Sequence, residues 1–471
     1  MLFTSFIFVA LVIVTFFIYY FPKCLKYQPQ ILTVASFIFY AYNEPILLFL
    51  LLSSILINSI SSYYVTYGKP KYRKLIATTG VVVNLFLLAF FKYTPLLVNT
   101  FDLLGTSVGD FLVTIPLPIG ISFFTFQGIS LLVDTYKENY FKAKDIVPPS
   151  FYEHAKQTFL FISIFPQLIA GPIVKAHEFL PQIKTKYIKD IDWEFCFKNV
   201  LLGYFLKMVI ADNLKDYTFI ITYPHFEGYH SVALLVTLLG YSCQIFADFA
   251  GYSLIAIGLS ATFGYKLRDN FNFPYISTSF KEFWKRWHIS LSSFLMEYLY
   301  IPLGGNRKGR IRTYFNLFIT MLLGGLWHGA AWSYVIWGGF HGLALCIERV
   351  FMNMRKSKPT FNGFWMKNFK RILIFTFVSF AWLLFKLPEF NHVIKFFQTV
   401  LSRSEVPINV NLCSRILMFC LPIFIYHMFY LLKKYPIFNK IKRFEYVFYA
   451  IMLFLICTSS GSAGAFIYFQ F

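Results

Sequence analysis

Apolar residues run in long blocks along this chain, separated by short stretches that are polar and mostly basic. The blocks fall near residues 2–22, 31–41, 45–65, 75–100, 116–135, 156–173, 195–222, 231–263, 311–348, 369–387, 414–432 and 446–468. A helix needs about 20 apolar residues to cross the hydrocarbon core of a bilayer. Several blocks have that length, some fall short, and some are long enough for two passes. The pattern predicts an all-α, polytopic integral membrane protein with about eleven transmembrane helices and additional re-entrant or interfacial helices. Weak alternating runs of about ten residues would mark a membrane β-barrel, and the chain does not read that way. The first block follows Met1 directly, with no basic start and no small-residue cleavage site, so it reads as a retained span.

The polar stretches set an orientation. Lys23 and Lys26 in one connection, and Lys69, Lys71, Arg73 and Lys74 in another, place both on the cytoplasmic side. The segment between them then goes out and returns, turning at Asn43–Pro45, and the first span runs inward. Proline and glycine interrupt the blocks at 115–120, 165–172 and 321–332. Irregular backbone at membrane depth is tolerated only where protein or a water-filled cavity surrounds it, so an internal cavity is expected. The longest polar connections, near 174–194 and 349–368, are about 20 residues. Residues 1–471 therefore read as a single membrane domain.

Composition narrows the class. Hydrophobic residues make up 57% and charged residues 14%, against roughly 25% charged in a soluble domain. Lysine and arginine number 43 against 22 acidic residues, a formal net charge of +21. These cations sit in the connections, where they face lipid headgroups and follow the positive-inside bias. No basic helix or RNA-binding signature accompanies them, so nucleic acid is not an expected partner. The seven cysteines are scattered without a Cys-x-x-Cys pair, and the buried carboxylates and histidines lack ligand spacing. Neither a disulfide framework nor a metal site is expected.

Candidate chemistry concentrates in two places. On a helical wheel, residues 280–300 put Phe280, Phe283, Trp284, Trp287, Leu291, Phe294, Leu295 and Tyr298 on an apolar face. Lys281, Lys285, His288 and Ser292 line another. This is the pattern of an amphipathic helix at the bilayer surface, with tryptophans at headgroup depth. On pattern alone His288 reads first as one more interfacial polar residue, ahead of a functional one. His328 lies in the middle of the uncharged window 317–337. An ionisable group at mid-bilayer is a functional candidate by default; desolvation keeps its imidazole neutral and able to act as a general base. The plainer alternative is a hydrogen-bonded packing histidine. His341 lies 13 residues on, about 220° around a straight helix, and should not share a face with His328 unless the helix breaks. It reads as structural or supporting.

Asp248 sits inside the 231–263 block, beside a stripe of Ala247, Gly251, Leu254 and Gly258 that suits close helix packing. It serves either to orient a catalytic group or substrate hydroxyl, or to hold two helices together. Asp134, at a block end, reads as a cap or an interfacial anchor. The chain has no Gly-x-Ser-x-Gly elbow and no clear Ser/His/Asp set, which disfavours an acyl-serine enzyme. Arg307, Lys308 and Arg310 follow two glycines without forming a phosphate-binding loop of the Gly-x-x-x-x-Gly-Lys-Ser/Thr type, so nucleotide hydrolysis is not expected.

Five segments resemble the membrane-bound O-acyltransferase family, in its bacterial alginate O-acetyltransferase-like branch. They are "LPIGISFFTFQGISLLVDTYK" (117–137), "FPQLIAGPIVK" (165–175), "DFAGYSLIAIGLSATFGYKLRDNFNFPY" (248–275), "FWKRWHISLSSFLMEYLYIPLGGNR" (283–307) and "GGLWHGAAWSYVIWGGFHG" (324–342). The family-like core covers about 110–345. The resemblance implies helices around a central tunnel, with the acyl donor entering from the cytoplasmic side and the acceptor approaching from the other. It implies that the histidine of Trp-His-Gly, here His328, is catalytic. His288, in Arg-Trp-His-Ile-Ser, is the second signature position, and the resemblance implies a catalytic role for it too, supporting the acyl group or the base. Trp287, Ser292, Trp327, His341 and Asp248 would line the tunnel or support the site. The family often has an aspartate where this chain has Leu254, after Gly251-Tyr252-Ser253, so a polar role there is lost or passes to Asp248.

The resemblance further implies an O-acetyltransferase of the bacterial cytoplasmic (inner) membrane, acting on an exported or cell-surface polysaccharide. Acetyl-coenzyme A would be the donor, with no tightly bound cofactor, and a periplasmic or extracellular acetyltransferase partner would complete the transfer. The sister activity, which moves D-alanine to teichoic acid, is the alternative. A transporter or flippase without acyl chemistry is the third reading, disfavoured because no inverted hydropathy repeats are found.

Overall fold

The computed structural model describes residues 1–168, 171–354, 363–462 and 464. Every regular element among them is helical, as the block pattern predicts. The number of crossings is not as predicted. Six helices among the described residues are long and apolar enough to cross a membrane: Leu47–Tyr67, Pro70–Thr100, Ser231–Thr262, Trp332–Met354, Phe364–Lys386 and Val410–Leu432. A bent pair, Phe6–Tyr20 with Pro22–Ala41, turns by 101° and makes a seventh if it counts as one span. The expected eleven must therefore be reduced to six or seven.

The reason is that hydropathy counts apolar length and not continuity. The 116–135 block is a 17-residue helix, Ile121–Lys137, and the 156–173 block ends its helix at Ser163. The 195–222 block is divided into helix Trp193–Tyr204, a π-helical turn Phe205–Ala211 and helix Asp212–Thr218. The 446–468 block yields the 14-residue helix Glu445–Thr458. Residue 463 and residues 465–471 lie outside the described residues, as do Ile169 and Ala170 of the 165–172 interruption and the basic residues of 355–358.

The chain divides into two compact units, Met1–Val200 with Ser253–Arg268, and Leu201–Tyr252 with Asp269–Phe471. In the first, helices Leu47–Tyr67, Arg73–Thr100, Ile121–Lys137 and Phe151–Ser163 pack on one another. Buried polar pairs tie them, as expected where lipid supplies no hydrophobic drive between helices. The Asn58 and Asn84 amides exchange hydrogen bonds at 3.1 and 2.9 Å, and Ser62 Oγ lies 2.7 Å from His154 Nε2. Asp134 is buried and its Oδ2 lies 2.9 Å from His177 Nδ1. It is a buried partner, where the sequence suggested a cap or interfacial anchor.

In the second unit the dominant feature is a helical hairpin. Helix Gly309–His328 ends at His328, and helix Trp332–Met354 returns after Gly329, Ala330 and Ala331. The arms meet at two glycines. A Cβ added at Gly325 would sit 2.3 Å from the Tyr334 carbonyl oxygen and 2.8 Å from Gly338 Cα. One added at Gly338 would sit 2.4 Å from the Met321 carbonyl oxygen. The absence of side chains at these two positions lets the backbones touch. The 317–337 window is therefore not one span with His328 at its midpoint. It is the tip of a hairpin, and His328 is the last residue of the first arm.

Candidate active site

The stretch 280–300 is likewise not one helix. Helix Phe280–Arg286 stops, Trp287 is extended, and His288 adopts a left-handed conformation with φ 43° and ψ 55°. Helix Ile289–Leu295 then starts, followed by a π-helical turn Met296–Tyr300. The left-handed region is uncommon for residues other than glycine, although histidine is among the enriched exceptions. It costs about 1–3 kcal/mol, and such residues cluster at functional sites. The break also overturns the surface-helix expectation. Trp287 is 1% exposed and His288 is 0% exposed, so both are enclosed by protein and neither faces lipid headgroups. Trp287 packs between Phe283, with centroids 5.6 Å apart, and Trp382, with centroids 4.8 Å apart.

The two breaks bring the two signature histidines together. The ring centroids of His288 and His328 lie 6.4 Å apart, with Trp327 at 6.0 Å from His288 and 5.1 Å from His328. Phe249 meets His288 edge-on at 4.6 Å. His288 Nδ1 lies 3.0 Å from Asn270 Oδ1. Burial pushes the His288 imidazole pKa down to about 3, because no water is left to solvate the charged form. His328 is buried against Trp337 at 5.2 Å and Phe385 at 5.0 Å.

Trp337 also touches His341, at 4.7 Å. The break at 329–331 thus does what a straight helix would forbid, and puts His328 and His341 against the same indole. His341 is fully buried among Trp284, Trp337 and Phe377, and neither ring nitrogen has a hydrogen-bond partner among the described residues.

A cavity of about 500 Å³ is lined by His328 and Trp337 together with Leu291, Ser292, Leu295, Met321 and Gly324. Lys281, Lys285, Glu348 and Arg349 also line it. Ser292 is thus a wall residue. The Trp332–Met354 helix carries both Trp337 and Arg349. From Trp337 to Arg349 is twelve residues, a rise of roughly 18 Å at 1.5 Å per residue.

A second cavity, of about 260 Å³, is lined by polar and apolar groups alike. Tyr334 and Phe385, which pack together near His328, form part of its wall, as do Tyr241, Gln244 and Lys386. Asp248 belongs to this cavity. Its Oδ1 accepts from Lys207 Nζ at 2.8 Å, and the same ammonium donates to Asp212 Oδ1 at 2.6 Å. All three are at most 3% exposed. Gly251, on the predicted small-residue stripe, allows the approach: a Cβ there would meet Gly203 O at 2.9 Å and Lys207 N at 3.0 Å. Lys207 and Asp212 are not among the residues that the sequence reading singles out, although a lysine set in the otherwise apolar stretch 200–211 is a signal of its own.

Comparison with known proteins identifies the family. The model of the membrane-bound O-acyltransferase family matches residues 121–387. A peptidoglycan O-acetyltransferase of Helicobacter pylori is 38% identical over 390 residues, covering 77% of this chain and 72% of the relative. The probable alginate O-acetylase AlgI of Pseudomonas aeruginosa is 35% identical over 415 residues, covering 85% and 75%. A teichoic acid D-alanyltransferase of Bacillus subtilis is 29% identical over 288 residues, covering 58% and 70%. By the family match and these relatives, the chain belongs to the membrane-bound O-acyltransferase family, and it is an O-acyltransferase.

Proposed function

We propose that this protein takes an acetyl group from acetyl-coenzyme A on the cytoplasmic side of a bacterial inner membrane. It passes that group towards hydroxyls of an exported or cell-surface polysaccharide, through a periplasmic or extracellular acetyltransferase partner. The observation that carries the reading is the 500 Å³ cavity, lined by His328 and Trp337 and also by Lys281, Lys285 and Arg349. A pantetheine arm has about thirteen bonds from phosphorus to sulfur. At roughly 1.2 Å per bond along an extended chain it spans about 16 Å, and the thioester carbon adds another bond. That length fits the roughly 18 Å between the Arg349 and Trp337 levels. The aliphatic side chains of the wall suit the arm, and the cations suit its phosphate.

In this reading His328 is the general base. A hydroxyl oxygen attacks the thioester carbon and its proton passes to His328. The carbon–sulfur bond breaks as the ester carbon–oxygen bond forms, and the proton leaves with the thiolate as a thiol. General-base assistance contributes typically 10²–10⁴-fold. The names of the Helicobacter and Pseudomonas relatives support acetyl as the group. The Bacillus relative's name keeps D-alanine as a second reading.

The test is the acetate released by mild alkali from surface polysaccharide. Wild type is compared with a gene deletion, and with the deletion carrying His328→Ala at an equal membrane level. Loss of acetate in both mutants is the expected result. Full acetylation with His328→Ala overturns the assignment, and loss of D-alanine esters in place of acetate transfers it to the second reading.

A further inference from the structure

We infer that Asn270 is a positioning residue that holds His288 as the Nδ1–H tautomer, so that His288 serves the reaction by accepting a hydrogen bond at Nε2. Which atom of an amide faces a histidine is normally ambiguous. Here the neighbours decide it. The backbone N–H of Ser290, which can only donate, points at Asn270 Oδ1 from 3.3 Å, and Ser290 Oγ donates to the same atom at 2.8 Å. The atom is therefore the carbonyl oxygen. His288 Nδ1, 3.0 Å from it, must carry the hydrogen. In a neutral imidazole the other nitrogen is then the acceptor.

The clamp is built for this purpose from backbone as well as side chain. The Asn270 carbonyl accepts from Ile289 N at 2.9 Å, so one residue holds three successive positions, 288 to 290. The left-handed turn at His288 is what lets the ring nitrogen, the Ser290 amide and the Ser290 hydroxyl converge on one oxygen. Asn270 is 1% exposed, so water does not compete for that oxygen. A carboxamide also keeps the site uncharged, where a carboxylate would draw a proton onto the ring. Among the contacts described for His288, with Phe249, Asn270, Ser290, Trp327 and His328, His328 is the titratable one.

The consequence is chemical. A ring whose Nε2 only accepts cannot donate to the oxyanion that forms on an acyl carbon. His288 instead receives the hydrogen bond of the incoming hydroxyl and orients it towards the thioester, while His328 takes the proton. This assignment of roles rests on the proposed acyl transfer; the tautomer does not.

The experiment therefore reads both. The protein is purified with ¹⁵N-labelled histidine, and the His288 signals are identified by their loss in His288→Gln. A pyrrole-type Nδ1 and a pyridine-type Nε2 at neutral pH are expected. Asn270→Ala should mix the tautomers and lower kcat with acetyl-coenzyme A by about 10–100-fold, the usual effect of removing a ligand-orienting partner, with the donor KM unchanged within twofold. Asn270→Asp, isosteric and still an acceptor, should raise the pH at which the His288 nitrogens titrate by a unit or more and move the acid limb of kcat with it. A wild-type Nε2–H signal overturns the inference, as does an Asn270→Asp protein whose spectrum and pH profile both overlay wild type. Wild-type protein that shows the expected tautomer but no transfer from acetyl-coenzyme A removes the proposed donor and leaves the tautomer standing.

Discussion

The rings of His288 and His328 lie with their centroids 6.4 Å apart, although forty residues separate them in the chain. Each stands at a break. His288 is the left-handed residue between two short helices, and His328 is the last residue before the hairpin turn. Neither position is reached by a straight helix, so the site depends on the irregular backbone as much as on the imidazoles.

The hairpin seam is the first point of attack. Gly338→Val adds a branched side chain where a single Cβ already falls 2.4 Å from a carbonyl oxygen. Overpacking of this kind costs about 1–3 kcal/mol. We expect a lower thermal midpoint in detergent and a smaller membrane pool than for Gly339→Val, whose nearest neighbour, a Leu322 methyl carbon, is 3.5 Å away. Equal behaviour of the two variants would show that the arms do not meet as described.

The buried triad makes an asymmetric prediction. Lys207→Met leaves the Asp212 and Asp248 carboxylates facing a site without their cation, a loss of about 3–5 kcal/mol by analogy with broken buried pairs. Asp248→Asn leaves the Lys207–Asp212 pair in place and should cost less. Combining Lys207→Met with Asp248→Asn should recover part of the loss of Lys207→Met alone. A double variant no more stable than Lys207→Met, by thermal midpoint, would argue against charge burial as the cause.

In the wall of the large cavity, Arg349→Gln removes a cation from the site proposed for the donor phosphate. Acetyl-coenzyme A should then show a several-fold higher KM, little change in kcat, and weaker dependence of KM on ionic strength. A kcat loss at unchanged KM would mean that Arg349 acts on something other than donor binding.

The residues that carry the site were largely legible, and its architecture was not. His288, His328 and Asp248 stand out because charge or imidazole is rare in apolar surroundings. Lys207 obeys the same rule, but its partners Asp212 and Asp248 come together with it only in the fold. The span count failed for a physical reason. A block of twenty apolar residues is equally a membrane-crossing helix, a short buried helix with a loop, or half of a hairpin, and burial in protein satisfies all three. The wheel at 280–300 failed because it assumes a constant rotation per residue. The reversal at His288 is enforced by the distant Asn270, which nothing local announces. The break after His328 was half visible, in the small residues Gly329, Ala330 and Ala331.

The separation between Arg349 and Trp337 on one rigid helix works as a gauge. On the proposed reading, a carrier whose anionic group and reactive carbon are closer together than roughly 18 Å cannot set one at the level of Arg349 while the other lies at the level of Trp337. Acetyl phosphate should therefore be a far poorer acetyl source than acetyl-coenzyme A.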